Sequence, residues 1–320
     1  MKVLVTGGAG FIGSNLAEEL IARGAGVCIL DNLVTGFREN LEEIKGDFDF
    51  VEGDLNDPAA LKKALEGVEV VFHQAALPSV PRSVANPQET HQACVNGTFA
   101  LLNAAKDMGV RRLIYAASSS AYGDQPVLPK VETMAPKPMS PYAGAKLMGE
   151  YYCRIYAHVY GLETLCLRYF NVFGPRQNPS SQYSGVISRF IHALMTGETP
   201  VIYGDGEHSR DFTYIANVID ANIKAAQTTQ GIGEVLNVAN GDRITLNQLL
   251  ETVKKITGKP DVTADYQPSR KGDVKDSQAD NRRAIEWLGY EKLVDLEEGL
   301  VKTIDWWKTS RFSEDPTVDR

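Results

Sequence analysis

Cysteine is scarce in this sequence, which contains only Cys28, Cys94, Cys153 and Cys166. No two of them stand in CxxC spacing, so we expect free thiols in a reducing cytoplasm and assign no metal site. Long apolar runs are also missing, because none approaches the ~20 residues that a membrane span needs. Residues 1–5 lack the cleavage pattern of a signal peptide. We therefore expect a cytoplasmic protein without a membrane partner.

A surplus of basic residues is absent too. The 320 residues carry 33 Lys and Arg against 41 Asp and Glu, a formal net charge of −8. This argues against nucleic acid as a partner, because phosphate groups attract basic surfaces. An anionic small molecule is still compatible, provided that the cations binding it are local. The composition, 43% hydrophobic and 23% charged, is typical of globular proteins, and the length is near the size at which one core divides into two.

The first half of the chain alternates short apolar runs with helical patterns, which predicts an α/β fold with a doubly wound parallel sheet. The predicted buried strands are 3–6, 27–30, 50–51, 68–72, 113–116 and 164–168. The predicted helices are 12–22, 59–65, 97–106 and 142–160. After Asn171 the elements look less regular, apart from an amphipathic segment at 296–307. We expect residues 313–320 to be frayed.

A glycine-rich run, TGGAGFIG at 6–13, follows the first predicted strand and opens the first predicted helix. Gly7 permits a tight turn, Gly10 lets the backbone approach a pyrophosphate, and Gly13 lets helix and strand pack closely. The helix N-terminus adds free amides and a partial positive charge, which favour an anion. A glycine-rich turn in a non-nucleotide protein is the alternative. The strand–turn–helix context instead indicates a Rossmann-like dinucleotide site.

Acidic residues at strand ends refine this site. Asp31 ends the second strand, where it can accept from the adenosine ribose hydroxyls and repel a 2′-phosphate. No Lys or Arg adjoins it in Asp31-Asn32-Leu33, so we expect NAD rather than NADP. Asp54-Leu55 and Ala75-Ala76 also follow strands, at the sheet edge where a ligand lies. Asp54 could instead be the N-cap of the following helix, and both interpretations stay open.

Three residues are candidates for catalysis. Tyr142 and Lys146 are four apart on a predicted helix, so their side chains face the same way. Lowering a tyrosine pKa of ~10 by ~3 units requires about 4 kcal/mol of stabilisation, which a neighbouring ammonium and the positive nicotinamide ring can supply. Ser118 follows the fifth strand, where a hydroxyl could donate to a substrate oxygen or relay a proton. An exposed helix face and a loop serine are the alternatives.

Several motifs together resemble the extended short-chain dehydrogenase/reductase family: TGGAGFIG at 6–13, HQAA at 73–76, VNGT at 95–98, SSSAYG at 118–123, SPYAGAK at 140–146 and RYFN at 168–171. The resemblance covers nearly the whole chain. Within the family, the chain looks like the UDP-glucose and UDP-N-acetylglucosamine 4-epimerases. This implies a Rossmann-like NAD-binding domain at 1–171, to which about 212–238 returns. It also implies a smaller sugar-nucleotide-binding domain at 172–211 and 239–312, and a tail at 313–320.

The resemblance also implies roles for individual residues. Tyr142 takes the 4-hydroxyl proton while the C4 hydride passes to tightly bound NAD, Lys146 holds the nicotinamide ribose, and Ser118 bonds the 4-oxygen. The 4-keto sugar then turns over and receives hydride on its other face. The implied cofactor-binding residues are Gly7, Gly10, Phe11, Ile12, Gly13, Asp31, Asn32, Asp54, Leu55, Ala75, Ala76, Asn96, Tyr142, Lys146 and Tyr169. The implied substrate-binding residues are Ser79, Ser118, Ser119, Tyr142, Asn171, Val186, Arg210, Arg270, Asp273 and Ser277.

Four of these residues bear on the substrate. Arg210 and Arg270 match arginines that grip a diphosphate, a role that suits the paired donors of the guanidinium; surface salt bridges are the alternative. Asp273 matches an acid that accepts from the uridine ribose. Ser277 stands where enzymes confined to UDP-glucose and UDP-galactose carry a bulky aromatic residue. We therefore expect UDP-GlcNAc and UDP-GalNAc to be accepted along with the plain hexoses.

Some other activities of the family depend on residues that this chain lacks. Ser119 and Ser120 stand where 4,6-dehydratases and UDP-glucuronate decarboxylases carry acids, so those reactions are disfavoured. A UDP-glucuronate 4-epimerase stays open, because Arg176 or Arg189 could pair with the C6 carboxylate. A non-catalytic NAD-sensing protein commonly loses the tyrosine or the lysine that this chain retains. Relatives pair through two helices, here 87–108 and 142–160, so we expect a homodimer.

Overall fold

The computed structural model describes residues 1–178, 185–269 and 274–314. The strands are β1 (Lys2–Thr6), β2 (Gly26–Asp31), β3 (Phe48–Glu52), β4 (Val70–His73), β5 (Arg112–Ser118), β6 (Glu163–Tyr169), β7 (Val172–Phe173), β8 (Val201–Tyr203), β9 (Ser209–Arg210), β10 (Thr213–Tyr214), β11 (Val235–Val238), β12 (Ile244–Thr245) and β13 (Asp265–Gln267). The helices are α1 (Phe11–Ala22), α2 (Arg38–Glu42), α3 (Pro58–Ala64), α4 (Val80–Ala85), α5 (Pro87–His91), α6 (Gly97–Asp107), α7 (Pro141–Tyr160), α8 (Val186–Thr196), α9 (Ile215–Gln227), α10 (Leu246–Thr257), α11 (Arg282–Leu288), α12 (Leu296–Thr309) and α13 (Arg311–Glu314). Gln92–Asn96 forms a π-helical turn and Ser119–Tyr122 a 3₁₀ turn.

Seven parallel strands form the central sheet in the order β11-β6-β5-β4-β1-β2-β3. The order reverses between β1 and β4, since the chain builds outward from β1 in one direction and from β4 in the other. A crevice forms at the carboxyl ends of the strands at such a reversal. This is the Rossmann-like α/β fold that the sequence predicts, and it is confirmed.

The two faces of the sheet are buried against different helices. Side chains alternate along a strand, so Val3 and Val5 of β1 join one apolar core while Leu4 joins another. The first core includes Leu16 of α1 and Val218 of α9. The second core is completed by α3, α6 and α7. Both faces are therefore covered, which is why the strands read as continuous apolar runs.

The second half of the chain extends this architecture. Val235–Val238 returns to the central sheet, where β11 pairs with β6 along Cys166 to Tyr169. Three two-stranded sheets, β7 with β10, β9 with β12 and β8 with β13, lie outside it. The first core continues into α8, α10 and α12, through Phe190, Leu249 and Ile304. Segments assigned to the two predicted domains thus share one core, and the domain boundaries stay a prediction.

Some sequence expectations need correction. The region after Asn171 is more regular than expected, because α8, α9, α10 and α11 are formed there. The strand expected from residue 68 begins at Val70, since the Val68 amide instead closes a turn on the Leu65 carbonyl at 3.1 Å. Ser313 belongs to α13 rather than to a frayed end. Residues 315–320 lie outside the described part. Among the described helices, none has the length and apolarity to cross a bilayer.

Candidate active site

Two adjoining clefts lie at the carboxyl edge of the sheet. The larger cleft has a volume of about 920 Å³ and the smaller cleft about 240 Å³. Asn171, Val172, Gln177 and Gly185 line both, so the clefts run into each other. The larger cleft is lined by these expected site residues: Gly7, Gly10, Phe11, Ile12, Gly13, Asp31, Asn32, Asp54, Leu55, Ala75, Ala76, Ser79, Ser118, Tyr142, Lys146, Tyr169 and Asn171. The smaller cleft is lined by Asn171, Val186 and Arg210 among the expected residues.

The glycine-rich turn is shaped by close backbone packing. A Cβ on Gly13 would lie 2.1 Å from the Gly7 oxygen, and one on Gly7 would lie 2.7 Å from the Ala75 Cα. A Cβ on Gly10 would meet only the Gly7 oxygen, at 3.2 Å. No side chain caps the start of α1, and its first turn contains no acid. The free amides and the open side of Gly10 therefore fit a pyrophosphate.

Asp31 lies at the end of β2 beside this turn. Its Oδ2 accepts from the Ala9 amide at 2.9 Å and its Oδ1 from the Leu33 amide at 2.8 Å. Burial raises the pKa of Asp31, while backbone hydrogen bonds from Leu33 and Ala9 lower it. A carboxylate has about four acceptor positions, so each oxygen can still accept from a ribose hydroxyl in the larger cleft.

The two interpretations of Asp54 can now be separated. Asp57, not Asp54, caps α3, because its Oδ1 accepts from the Ala59 amide at 2.8 Å. Asp54 instead accepts from the Asn32 side chain at 2.7 Å. Burial by itself raises the pKa of Asp54, but hydrogen bonds from Asn56 and Asn32 bring it below its usual value. The N-cap interpretation is wrong, and Asp54 orients Asn32 at the edge of the larger cleft.

The three catalytic candidates converge on one wall of the larger cleft. α7 begins at Pro141, with Ser140 as its cap, which places Tyr142 in the first turn at the mouth of the cleft. Ser118 Oγ accepts from Ser120 Oγ at 2.8 Å, and Ser118 lies close enough to Tyr142 to lower the pKa of its hydroxyl. One turn further on, Lys146 Nζ donates to the Ala116 carbonyl at 2.8 Å. This arrangement places a phenol, a hydroxyl and an amine within one ligand's reach.

The electrostatics of this wall differ from the sequence expectation. Burial raises the pKa of Tyr142 above its usual range, and the hydrogen bond to Ser118 opposes that shift. Burial lowers the pKa of Lys146, which is 3% exposed. The Lys146 ammonium donates to the Ala116 carbonyl, and its effect on the tyrosine pKa when NAD and substrate are bound stays a prediction.

The smaller cleft contains cations and aromatic rings. Arg210 Nη1 donates to the Ser209 carbonyl at 2.9 Å and to the Lys275 carbonyl at 3.0 Å. The Arg189 guanidinium lies 5.6 Å from the centre of the Tyr203 ring. In an acidic protein, these are the local cations that an anionic ligand requires. Val186 is the first residue of α8 and borders the same space.

Some expected residues lie elsewhere. Asn96 is exposed in the π-helical turn, where its side chain donates to Gln92 Oε1 at 2.6 Å, so the structure does not bring it to the larger cleft. Ser119 begins the 3₁₀ turn and lines neither cleft. Ser277 also lines neither, but its amide donates to the Ser209 carbonyl at 3.0 Å. The remaining two, Arg270 and Asp273, lie outside the described residues.

Sequence analysis missed several residues that line the larger cleft, among them Gln74 and Arg82. Gln74 Nε2 donates to the Tyr169 hydroxyl at 3.2 Å, and its signal was its place beside Ala75 after β4. Arg82 Nε donates to Glu89 Oε2 at 3.1 Å. Its signal was the spacing from Ser79, whose Oγ caps the Arg82 amide at 3.0 Å. Both residues add polar side chains to the lining of the larger cleft.

His73 forms a fully buried support behind the catalytic wall. Its Nδ1 lies 2.8 Å from Thr6 Oγ1 and its Nε2 lies 2.9 Å from Thr98 Oγ1. Burial, followed by the charge of Lys146, lowers the pKa of His73 to about 3. The neutral ring therefore links the end of β1 to α6, with one nitrogen donating and the other accepting.

Comparison with known proteins gives a consistent result. Residues 3–239 match the NAD dependent epimerase/dehydratase family. A UDP-glucose 4-epimerase from Thermotoga maritima, solved with UDP-glucose, is 40% identical with a TM-score of 0.92, covering 97% of this chain and 99% of that one. A UDP-N-acetylglucosamine 4-epimerase from Methanobrevibacter ruminantium, in complex with UDP-N-acetylmuramic acid, is 40% identical with a TM-score of 0.92, at 96% and 98% coverage. A UDP-glucuronic acid 4-epimerase from Bacillus cereus, in complex with UDP-glucuronic acid and NAD, is 32% identical with a TM-score of 0.90, at 97% and 99% coverage.

Proposed function

The chain belongs to the NAD dependent epimerase/dehydratase family, and from that premise we propose that it interconverts UDP-GlcNAc with UDP-GalNAc, and UDP-glucose with UDP-galactose. Its reaction class is nucleotide-sugar 4-epimerisation and its cofactor is NAD. One observation carries the proposal. Ser118, Tyr142 and Lys146 converge on the larger cleft, which also contains the glycine-rich turn and Asp31.

The side chains of the larger cleft have distinct tasks. Bound NAD supplies a reversible acceptor for the C4 hydride. The Tyr142 side chain, as the phenolate, takes the proton of the sugar's 4-hydroxyl and becomes the phenol, and it returns that proton to the 4-oxygen after the sugar has turned over. Ser118 also donates to the 4-oxygen. Lys146, oriented by the Ala116 carbonyl, holds the ribose next to the nicotinamide.

The smaller cleft suits the UDP moiety. The Arg210 guanidinium is held by two carbonyls, so its position is fixed before the diphosphate arrives. A planar fork of donors matches phosphate oxygens, and such charge-assisted bonds are the strong ones. Asn171 lies at the junction of the two clefts, where the sugar meets the diphosphate. Arg270 and Asp273 are assigned to the diphosphate and the uridine ribose by resemblance alone.

The preference for N-acetylated sugars rests on Ser277. Its segment is hydrogen-bonded to β9, the strand that carries Arg210. A serine fills little volume, so an N-acetyl group on C2 has room where a bulky aromatic residue would exclude it. The likeness to the UDP-N-acetylglucosamine 4-epimerase supports the same substrate class.

A UDP-glucuronate 4-epimerase is the second candidate, supported by the likeness to the Bacillus cereus enzyme. Of its two candidate cations, Arg176 is 7% exposed and bound by Glu18 at 2.7 Å and by Glu43 at 3.0 Å. That guanidinium is committed to α1 and the end of α2. Only Arg189 of the pair lines a cleft, and it lies in the smaller one. The geometry therefore favours neutral hexoses over a uronate.

A homodimer is part of the proposal. Apolar side chains are exposed on α6 and α7: Phe99 at 42%, Met148 at 46%, Tyr151 at 53% and Ile155 at 47%. An apolar face of this kind marks an interaction surface. Tyr156, also on α7, is 3% exposed and donates to Asn103 Oδ1 at 2.6 Å, so it belongs to the chain's own core and not to this face. We also infer a cytoplasmic location, which the four free, buried cysteines support.

The test uses the purified protein without added cofactor. We expect bound NAD on release by denaturation, and interconversion of both UDP-GlcNAc and UDP-glucose but not of UDP-glucuronate. Turnover of UDP-glucuronate alone would favour the second candidate. Bound NAD with no turnover of any of the three would favour a non-catalytic sensor. A protein that contains no dinucleotide and acquires none on incubation with NAD would refute the proposal.

A further inference from the structure

A buried carboxylate that no motif singled out lies beneath the smaller cleft. We propose that Asp211 is a positioning residue that fixes the separate segments gripping the UDP-sugar, and so sets affinity and sugar selectivity without touching the substrate. The inference rests on the proposed function, because it concerns how that UDP-sugar is held. It predicts that the charge of Asp211 acts on UDP binding and not on the binding of NAD.

The carboxylate accepts hydrogen bonds from three backbone amides in two distant segments. Its Oδ1 accepts from the Asn240 amide at 2.9 Å. Its Oδ2 accepts from the Gly241 amide at 3.0 Å and from the Ala279 amide at 3.1 Å. The residue is 0% exposed. One side chain therefore holds the turn after β11 and the segment after residue 274 together against β9.

Three residues that are assigned to the substrate lie next to Asp211 or on a segment that is tied to it. Arg210 is its chain neighbour. The Asn171 side chain donates to the Asp211 carbonyl oxygen at 2.8 Å. Ser277 lies two positions before Ala279, on the segment whose amide bonds the Ser209 carbonyl. A shift of these segments would therefore displace Arg210 at the diphosphate, Asn171 at the junction of the two clefts and Ser277 at the C2 substituent together.

The segment carrying Ser277 is also anchored by other hydrogen bonds, including those of its backbone with Ser209 and Lys130. Asp276 accepts from Ser209 Oγ and lies 3.4 Å from Arg243 Nη1. Gln278 Nε2 donates to the Gly241 carbonyl at 2.8 Å, so the segment and the turn after β11 also contact each other directly. These contacts surround Asp211 but leave its three amides without another acceptor. Removing the acceptor would expose buried donors to desolvation without compensation.

Burial raises the pKa of Asp211 to about 7, against the hydrogen bonds from Ala279, Asn240 and Gly241, which lower it. Buried groups of this kind cluster at functional sites, and here the geometry connects the group to substrate contacts alone. None of its partners lines the glycine-rich turn or the catalytic wall of the larger cleft.

The experiment compares Asp211→Asn with Asp242→Asn in the full-length, NAD-loaded protein. Asparagine keeps the shape, but its NH₂ group faces an amide where an acceptor is needed. Asp242 is one residue beyond Gly241 and 77% exposed, so its variant makes the same chemical change without the buried contacts. The readouts are bound NAD per chain, the Kd of UDP by calorimetry, and kcat and KM for UDP-glucose and UDP-GlcNAc.

We expect Asp211→Asn to raise the Kd of UDP and both KM values at least about tenfold, the equivalent of about 1.4 kcal/mol. The ratio of kcat/KM between the two sugars should move toward one. Bound NAD should stay at the wild-type level and kcat should fall less than KM rises, whereas Asp242→Asn should match the wild type throughout. A merely structural residue would lower NAD content and kcat together.

The proposal is overturned if Asp211→Asn binds UDP as tightly as the wild type, or if it loses NAD in parallel with UDP. Asp211→Ser is the second variant, since its hydroxyl accepts one amide and leaves space for water at the others. If neither variant yields folded, NAD-loaded protein, Asp211 is a determinant of the fold and the proposal is wrong. Failure of the wild type to bind UDP would instead refute the proposed function itself.

Discussion

The larger cleft is lined by the ends of neighbouring parallel strands, whereas the smaller cleft is assembled from segments that lie far apart in the chain. Gly7, Asp31, Asp54 and Ala75 each lie at or just beyond the end of a strand of the central sheet. Residues of the smaller cleft come from 171–177, 185–189, 201–212 and Leu246. The first construction inherits its geometry from sheet register. The second depends on side chains such as Asp211 that join one segment to another.

This difference separates chemistry from selectivity. In the larger cleft, a displaced side chain disturbs a site that is backed by two apolar cores, so most changes should act on cofactor retention or on the proton transfer. In the smaller cleft, a change in one contact should move the substrate without disturbing NAD. The following variants test this division, beginning with the largest expected effect.

Replacing Tyr142 with phenylalanine removes the proton acceptor of the catalytic wall. We expect kcat to fall about 10³-fold, within the range for loss of a general acid–base group, with bound NAD and the Kd of UDP unchanged. Steady-state kinetics and calorimetry check this. Tyr160→Phe, at the exposed end of the same helix, is the control and should match the wild type. A variant retaining kcat within tenfold would contradict the assignment.

Ser277→Tyr tests the segment that is hydrogen-bonded to β9, the strand that carries Arg210. An aromatic ring at this position should abolish turnover of UDP-GlcNAc and UDP-GalNAc, by about 100-fold or more relative to UDP-galactose, because a filled pocket excludes the acetyl group. Ser277→Ala, which adds no bulk, should retain both sugar classes. Turnover of the acetylated and plain sugars is measured side by side. If the tyrosine variant loses turnover of the acetylated and the plain sugars equally, the assignment of Ser277 to the C2 substituent is wrong.

Gly13→Ala tests the backbone packing of the larger cleft. Its Cβ would lie 2.1 Å from the Gly7 oxygen, and relieving such an overlap costs about 1–3 kcal/mol or more. We expect NAD retention to weaken about tenfold or more, while the Kd of UDP changes less than threefold. Gly26→Ala, with no atom within 4 Å of its added Cβ, should behave as the wild type. A simultaneous, equal loss of UDP binding would break the division between the clefts.

His73 should make the free energy of unfolding of the chain depend on pH in the acid range. Its pKa falls from 6.5 to about 3 in the folded chain, so between these values the unfolded chain binds the extra proton. Stability from the neutral ring is therefore present above about pH 6.5 and declines as pH falls toward 3, by at most about 1.4 kcal/mol per pH unit.

Denaturant unfolding at pH 7.5 and pH 5.5 measures this effect. His73→Gln should lose less stability between the two pH values than the wild type does, whereas His158→Gln, at an exposed position of α7, should follow the wild type. If His73→Gln has the wild-type pH dependence, the ring does not titrate as inferred.

Sequence reasoning located the larger cleft well because its information is local. The pattern for β1 and α1 places Gly7, Gly10 and Gly13 within a few residues of one another, and the structure brings all three to the cleft. Asn96 was misplaced because a π-helical turn precedes α6, and its side chain turns to Gln92. No periodicity in the sequence announces that turn.

The second half was harder to predict for a different reason. α8 and α9 begin without a side-chain cap, at Gly185 and Tyr214, and so lack a start signal. Strands of two residues, such as β9, are too short to show alternation. α10 did have a readable signal, the capping box of Thr245 and Gln248. Asp211 could not be found in advance, because its partners are more than twenty-five residues away along the chain.

The return of β11 to the edge of the central sheet limits how this enzyme could be rebuilt. If the chain were truncated after β6, the backbone donors and acceptors of β6 that now pair with β11 would be exposed. Such an unpaired edge strand promotes aggregation. To change the substrate specificity of this enzyme, one would have to exchange two separate segments, one before α9 and one after β11. The helix α9 and the strand β11 would have to stay, because they belong to the predicted NAD-binding part. A single junction would not suffice.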